Sequence, residues 1–252
     1  MKKITIIGYG KMAKAIACGL NNKFELEIIG RNKQKLESFI KDNNLANTII
    51  HATNKINLQD KIVILAIKPY AFDSFKYKNK ANTIYSIMAG ISIERLKNVL
   101  DSEYYCRVMP NIASLVGEGT NIIYTQNLEV EKNASEIFSA LGKCIFVEKE
   151  QLINSAGAVS GSGTAYLGIV AEAMIDAGVR EGLSLDSSKE IVRSLFSGFA
   201  KLFEIKEASE IRLDTTSPNG TTAEAICVLE NRAIRSAFID AIHNANKKAN
   251  SI

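Results

Sequence analysis

The sequence predicts an α/β protein in two parts: a mostly parallel sheet covered by helices, followed by an all-helical C-terminal domain. Two observations carry this prediction. Near the start, a β-branched run at residues 4–7 ends in Gly8-Tyr9-Gly10 and enters an Ala-rich helical pattern, giving strand, tight turn and helix with the spacing G-x-G-x-x-A. Strand and helix patterns then alternate to about residue 148, after which long Ala-, Ile- and Leu-rich helical stretches take over. The expected domains are therefore residues 1–149 and 150–252.

After the first strand, Gly8 permits the tight turn and Gly10 lets backbone approach a pyrophosphate. Ala13 lets the helix at 12–20 pack close to the strand. The free N–H groups and positive end of that helix suit phosphate, so the stretch reads as a Rossmann-type dinucleotide turn; the competing reading is an ordinary glycine-containing strand–helix turn. The second strand, 24–30, ends where an NAD-specific site carries an acid for the ribose 2′-hydroxyl. Here the chain reads Gly30-Arg31-Asn32-Lys33, with two cations and no carboxylate. Arg31 attracts a 2′-phosphate that an acid would repel, so NADP(H) is expected over NAD(H). The competing reading makes Asn32 the N-cap of a helix at 33–42 and leaves Arg31 solvated.

Further strands are expected at 47–51, 62–67, 83–88 and 104–109. Lys68-Pro69 follows the second of these, with Pro69 in the first turn of a helix. Ala89-Gly90 follows the third, and Ser92 caps a helix at 93–100. Strands at 120–125 and 144–147 bracket a helix at 129–141. Strand C-termini line the ligand cleft of an open parallel sheet, so Ala66, Ile67, Lys68, Pro69, Ala89 and Gly90 are expected to flank the cofactor. In the second half, helices are expected at 150–160, 164–181 and 187–203, the third capped by Asp186. Ser160-Gly161-Ser162-Gly163-Thr164 reads as a break with the makings of an anion-binding nest. A final pair of helices runs from about residue 221.

Composition excludes several classes. The 31 basic and 27 acidic residues are spread along the chain without an arginine-rich run, so no nucleic acid is expected. The apolar run at 4–7 is too short for a signal peptide, and no stretch reads as a membrane span. Cys18, Cys106, Cys144 and Cys227 are scattered and the only histidines are His51 and His243, so neither a disulfide framework nor a metal site is expected. Thiols of this kind fit a reducing, cytoplasmic setting.

The run Thr215-Thr216-Ser217-Pro218-Asn219-Gly220-Thr221-Thr222 precedes an apolar helical pattern. Hydroxyls and a glycine at a helix entrance can hold a small carboxylate without an arginine, although alone the loop reads as an elaborate N-cap. Taken together, G-Y-G-K-M-A at 8–13, A-I-K-P at 66–69, S-I-M-A-G-I at 86–91, R-V-M-P-N at 107–111, G-S-G-T-A-Y at 161–166, A-G-V-R-E-G-L at 177–183 and S-P-N-G-T-T at 217–222 resemble the pyrroline-5-carboxylate reductase family. The resemblance covers nearly the whole chain. It implies a Rossmann domain, a helical domain that dimerises, and NAD(P)H-dependent reduction of a cyclic imine carboxylate to L-proline, the last step of proline synthesis.

By the same resemblance, Gly8, Tyr9, Gly10, Lys11, Met12 and Ala13 would contact the pyrophosphate, and Arg31 and Asn32 the 2′-phosphate region. Asn54, Ala66, Ile67, Lys68, Pro69, Ala89 and Gly90 would line the adenosine-to-nicotinamide path. Ser217, Gly220, Thr221 and Thr222 would hold the substrate, with Thr222 as the donor near the ring nitrogen. Two positions depart from the family pattern. Thr164 replaces a proline expected at a helix start, and Asn219 replaces a glycine whose backbone angles it must adopt. Two alternatives stay open: another two-domain NADP-dependent reductase of small carboxylates, and a non-catalytic NADP-sensing protein. The first would need a catalytic lysine or histidine on a C-terminal helix, where Lys189, Lys201 and Lys206 read as solvated. The second has no use for the hydroxyl loop. The helices at 164–203 carry apolar residues around much of their circumference, so at least a homodimer is expected.

Overall fold

A computed structural model of the chain describes residues 2–251. It divides into two compact units, one running to Thr164 and resuming at Ala245, the other Ala165–Asn244. The division falls inside a helix.

The first unit holds the strands β1 (Lys3–Ile7), β2 (Glu25–Gly30), β3 (Ile49–Ala52), β4 (Lys55–Asn57), β5 (Ile62–Leu65), β6 (Lys76–Lys78), β7 (Ala81–Ser86), β8 (Ser102–Met109), β9 (Gly119–Tyr124) and β10 (Gly142–Phe146). Four helices accompany them: α1 (Lys11–Leu20), α2 (Lys33–Asp42), α3 (Ile93–Lys97) and α4 (Leu128–Phe138). Eight strands form one sheet in the order β10-β9-β8-β7-β5-β1-β2-β3, parallel except where β8 meets β9. From β3 to β8 this is the doubly wound order, and the direction of progression reverses between β1 and β5.

Both faces of the sheet are buried, which is why its strands read as continuous apolar runs. Ile4 and Ile6 of β1 pack on one face with Ile16, Ala17 and Leu20 of α1 and Phe138 of α4. Ile7, Val63 and Leu65 point to the other face, with Phe72, Phe75 and Leu96. Side chains alternate because successive Cβ atoms leave opposite sides of a strand.

The sequence expectation missed the small parallel pair β4–β6, whose two inward residues, Ile56 and Tyr77, are hidden among lysines and asparagines. Pro69 does open a helical segment, but it is the 3-10 turn Pro69–Ser74. The helix after Ser92 stops at Lys97 rather than at residue 100.

Larger corrections concern the helical half, made of α5 (Leu152–Arg180), α6 (Leu185–Phe203), α7 (Ala208–Asp214), α8 (Thr221–Asn231) and α9 (Ile234–Ala249). The expected break at 160–164 is absent. α5 runs through it, and Ser160 Oγ donates to the Ala156 carbonyl 3.1 Å away, one turn back. Single glycines cost a helix only about 1 kcal/mol each, which the flanking helix formers outweigh, so no nest forms there. Thr164 accordingly stands in the helix interior and not at a first turn. The unbroken α5 is long and apolar enough to cross a membrane by length and composition, which the sequence reading did not expect of any stretch. Ser184 caps α6 by accepting from Ser187 N at 3.1 Å, in place of Asp186. Helix α7, too short to show a period, was not expected.

Two polar ties cross the first unit. Arg107 of β8 is buried and donates to Glu150 Oε1 and Asn154 Oδ1, each at 3.2 Å, while the same Glu150 oxygen accepts from Ile93 N. That arrangement fastens the start of α5 to the sheet and explains why an arginine stands in the R-V-M-P-N run. Burial pushes the Arg107 guanidinium down from its usual range, and Glu150 opposes the shift.

The second tie is Glu27 of β2, 3% exposed, which accepts from Thr5 Oγ1 at 2.6 Å, pairs with Lys61 and has His51 Nε2 3.1 Å from its other oxygen. It links β1, β2, β3 and the approach to β5. Burial alone would raise its carboxyl. The hydrogen bonds from Lys61 and Thr5, with the charges of Lys61 and Lys3, hold it below the ordinary value of 4.5. A depressed folded-state pKa means that the stabilisation is present above the ordinary value and is lost as pH falls through the folded one. We predict that Glu27→Gln is about 1–3 kcal/mol less stable at pH 7 in urea titrations and loses less stability than the parent as pH drops below the carboxylate range. Superimposable acid limbs for the two proteins would contradict this role.

Candidate functional site

The turn after β1 lies where the sheet reverses. Gly8 N donates to the Ile29 carbonyl of β2 and Ala66 N donates to the Ile7 carbonyl, both at 2.8 Å, so the turn is stitched to both neighbouring strands. Gly8 has φ 125°, and a Cβ there would lie 2.4 Å from the Ala66 carbonyl oxygen. No other residue fits. Gly10 follows as the N-cap of α1 and offers no side-chain cap; no acid occupies the first turn. Its Cβ position faces open space. The first N–H groups of α1 therefore have neither a helical acceptor nor a capping side chain, the condition for anion binding.

These groups open into a cleft of about 670 Å³. Of the residues that the sequence proposed for the cofactor, Gly8, Tyr9, Gly10, Lys11, Met12, Arg31, Ala66, Ile67, Lys68, Pro69 and Ala89 line it. Four others do not. Ala13 is fully buried in the core between α1 and the sheet. Asn32 caps α2, its side-chain oxygen accepting from Lys35 N at 3.0 Å, which matches the competing reading for that residue. Gly90 forms the turn just beyond Ala89, and Asn54 accepts through its backbone from Lys76 N.

The cleft also contains Gly30, Tyr70, Ala71, Phe75, Ile87 and Met88, which the sequence reading did not assign. Gly30 carried a signal: it ends a strand beside Tyr9, and a Cβ there would sit 2.4 Å from the Tyr9 ring. Tyr70, Ala71 and Phe75 come from the 3-10 turn and the residue after it, where no periodicity identifies them.

The lining residues include three cations, Lys11, Arg31 and Lys68, and no Asp, Glu or His. Arg31 Nη1 donates to Ser74 Oγ at 3.1 Å, and its guanidinium stands 5.5 Å from the centre of the Phe75 ring. These features suit a nucleotide with several phosphates. Bare backbone donors and cations can take the charge, and apolar walls at Ile67, Ile87 and Met88 can take a flat ring.

The second unit contains the other proposed site. α8 starts at Thr221 with Gly220 as N-cap and no side-chain cap, as in α1. The preceding turn is closed by Gly220 N donating to the Ser217 carbonyl at 3.1 Å. Asn219 has φ 57°, the left-handed backbone that its place in the motif demands and that Asn tolerates better than most residues. Thr215 and Thr216 donate back to Ile211 and Arg212 carbonyls, which leaves Ser217, Thr221 and Thr222 as the loop's hydroxyls at the helix entrance. Lys206 is paired with Asp214, so it remains a surface cation. Among the described residues no cluster of His, Cys, Asp and Glu could hold a metal.

Comparison with known proteins agrees with both halves. Residues 150–252 match the family model described as pyrroline-5-carboxylate reductase dimerisation, and residues 3–90 match that of NADP oxidoreductase, coenzyme F420-dependent. The pyrroline-5-carboxylate reductase of Helicobacter pylori strain J99 is 37% identical over 254 residues, covering 98% of this chain and 99% of the relative. That of Methanosarcina acetivorans is 34% identical, covering 100% and 98%. Among solved structures, 1-pyrroline-5-carboxylate reductase from Streptococcus pyogenes superposes with a TM-score of 0.88 at 27% identity, covering 99% of this chain and 98% of that one. The Plasmodium falciparum pyrroline carboxylate reductase with NADP bound gives 0.82 at 25% identity, covering 99% and 97%. The chain belongs to the pyrroline-5-carboxylate reductase family.

Proposed function

We propose that this protein reduces 1-pyrroline-5-carboxylate to L-proline, preferring NADPH over NADH, and that it works as at least a homodimer through its helical half. The observation that carries the reading is the uncapped N-terminus of α1, opening into a cleft with three cations and no carboxylate. A site built for NAD would place an acid where Arg31 stands.

NADPH, when bound, supplies the hydride for the electrophilic imine carbon. The chain's own residues bind and orient. The N–H groups of Lys11 and Met12 take the pyrophosphate and Arg31 takes the 2′-phosphate. Ala66, Ile67, Lys68, Pro69 and Ala89 line the path to the nicotinamide. The α8 entrance takes the substrate carboxylate on backbone N–H groups and the hydroxyls of Ser217 and Thr221, and Thr222 orients the ring nitrogen. No Asp, Glu or His lines the coenzyme cleft, and the reading takes the nitrogen's proton from a protonated imine or from water, with Thr222 only orienting the nitrogen.

The homodimer rests on exposed apolar surface. Among the described residues of the second unit only two apolar side chains are buried, Val192 and Ile211, whereas Ile169, Leu195, Phe199, Leu202 and Phe203 are each at least 44% exposed. A second copy of the chain covers such a face, and the family model matching residues 150–252 carries dimerisation in its description. Light scattering at micromolar concentration is expected to give at least twice the chain's 27.6 kDa. A single species at the monomer mass would refute the assembly.

Thr222→Ala tests the substrate site. Alanine is acceptable at a helix start, so the loss is confined to one hydrogen bond, and kcat/KM for the cyclic imine should fall roughly 10- to 100-fold. NADPH affinity should be unchanged, and Thr222→Ser should keep most of the activity. An alanine variant as active as the parent would reduce the loop to a helix cap.

A further inference from the structure

Arg31 is exposed, follows β2 and would ordinarily sweep a wide arc, yet two residues from the other side of the sheet's reversal hold it. Ser74 ends the 3-10 turn after β5, and its hydroxyl donates to the Ala71 carbonyl at 2.6 Å. A guanidinium has only donors, so the remaining capacity of that hydroxyl accepts from Arg31 Nη1. Phe75 comes next. Its ring is buried and packs 6.4 Å from Tyr77 within the core, so the face that it turns to the guanidinium is a fixed platform. The next cation, Lys33 at the start of α2, is paired with Glu37 one turn along the same helix.

We infer that Ser74 and Phe75 are positioning residues that fix the Arg31 guanidinium at the cleft wall and thereby set the preference for a coenzyme carrying a 2′-phosphate. This rests on reading the cleft as the NADPH site. A guanidinium held over a ring face keeps the N–H donors not used by Ser74 free for phosphate oxygens, and a side chain already held loses less freedom when the phosphate arrives. The hydroxyl and the ring touch the arginine, so their effect on affinity must pass through it. The sequence alone hid this arrangement because the partners are 43 and 44 positions from Arg31 and lie in no motif.

The test measures dissociation constants of NADPH and NADH for the parent, Arg31→Ala, Ser74→Ala, Phe75→Leu, and each of the last two combined with Arg31→Ala. Arg31→Ala should weaken NADPH roughly 10- to 100-fold and leave NADH nearly unchanged. Ser74→Ala and Phe75→Leu should each weaken NADPH roughly 3- to 10-fold, spare NADH, and add nothing once Arg31 is alanine. Ser74 is exposed, so its variant keeps the test decisive if Phe75→Leu disturbs the core. Equal weakening of both coenzymes, or a loss that persists without Arg31, overturns the positioning role. If Arg31→Ala is selective while the other two variants are silent, the positioning role falls alone. If Arg31→Ala is itself silent, the phosphate assignment falls and takes the positioning role with it.

Discussion

The architecture of the first unit depends on one close approach. At Gly8 the backbone passes so near the Ala66 carbonyl that a Cβ would overlap it, and the turn is hydrogen-bonded to β2 while Ala66 is bonded back to β1. That contact sets where α1 begins. Because α1 begins there, its uncapped end faces the gap where the strand order reverses, and the loops after β2 and β5 converge on the same space. A side chain at Gly8 would have to push β1 and β5 apart, and would move the anion site, Arg31 and its anchors together.

The cleft is unusual chiefly in what it lacks. Its walls hold three cations, two tyrosines and apolar residues, and no acid or imidazole. The chain's buried charges lie elsewhere and have structural tasks. Glu27 joins the strands on the β2 side, and Arg107 with Glu150 fastens α5 and the entrance of α3 to β8. A site of this composition suits hydride transfer, for which position matters more than proton traffic, and it suits an imine better than a substrate that must be deprotonated by the enzyme.

How much of this could be read in the sequence follows from range. The strand–turn–helix at the start, the succession of the main strands along the chain and the change to helices near residue 150 are local patterns of period 2 and 3.6, and they are legible. The family pattern marks Asn219 as standing where a glycine is usual, and its φ of 57° shows what that position asks of the backbone. The unbroken course of α5 was not legible, since the glycines at 161 and 163 read as a break and only the whole helix shows that they are carried along. Ala13 reads from the turn spacing as the small residue that lets α1 pack close to β1, and its side chain is buried in that core; its place at the pyrophosphate is implied by the family resemblance alone. Asn32 shows two uses competing for one residue, and its side-chain oxygen goes to the α2 cap. Tyr70, Ala71 and Phe75 reach the cleft from a 3-10 turn with no period, and the Arg31–Ser74 bond spans 43 positions that no local pattern connects.

The proposed reduction can be tested on the whole chain at once. The direct measurement is the oxidation of NADPH by the purified protein in the presence of 1-pyrroline-5-carboxylate, with the product identified. NADP⁺ and L-proline are expected in equal amounts, with no NADPH consumed without the imine. Tight NADPH binding with no oxidation when the imine is added would contradict the proposed reduction, and would leave the chain as a coenzyme-binding protein of another kind.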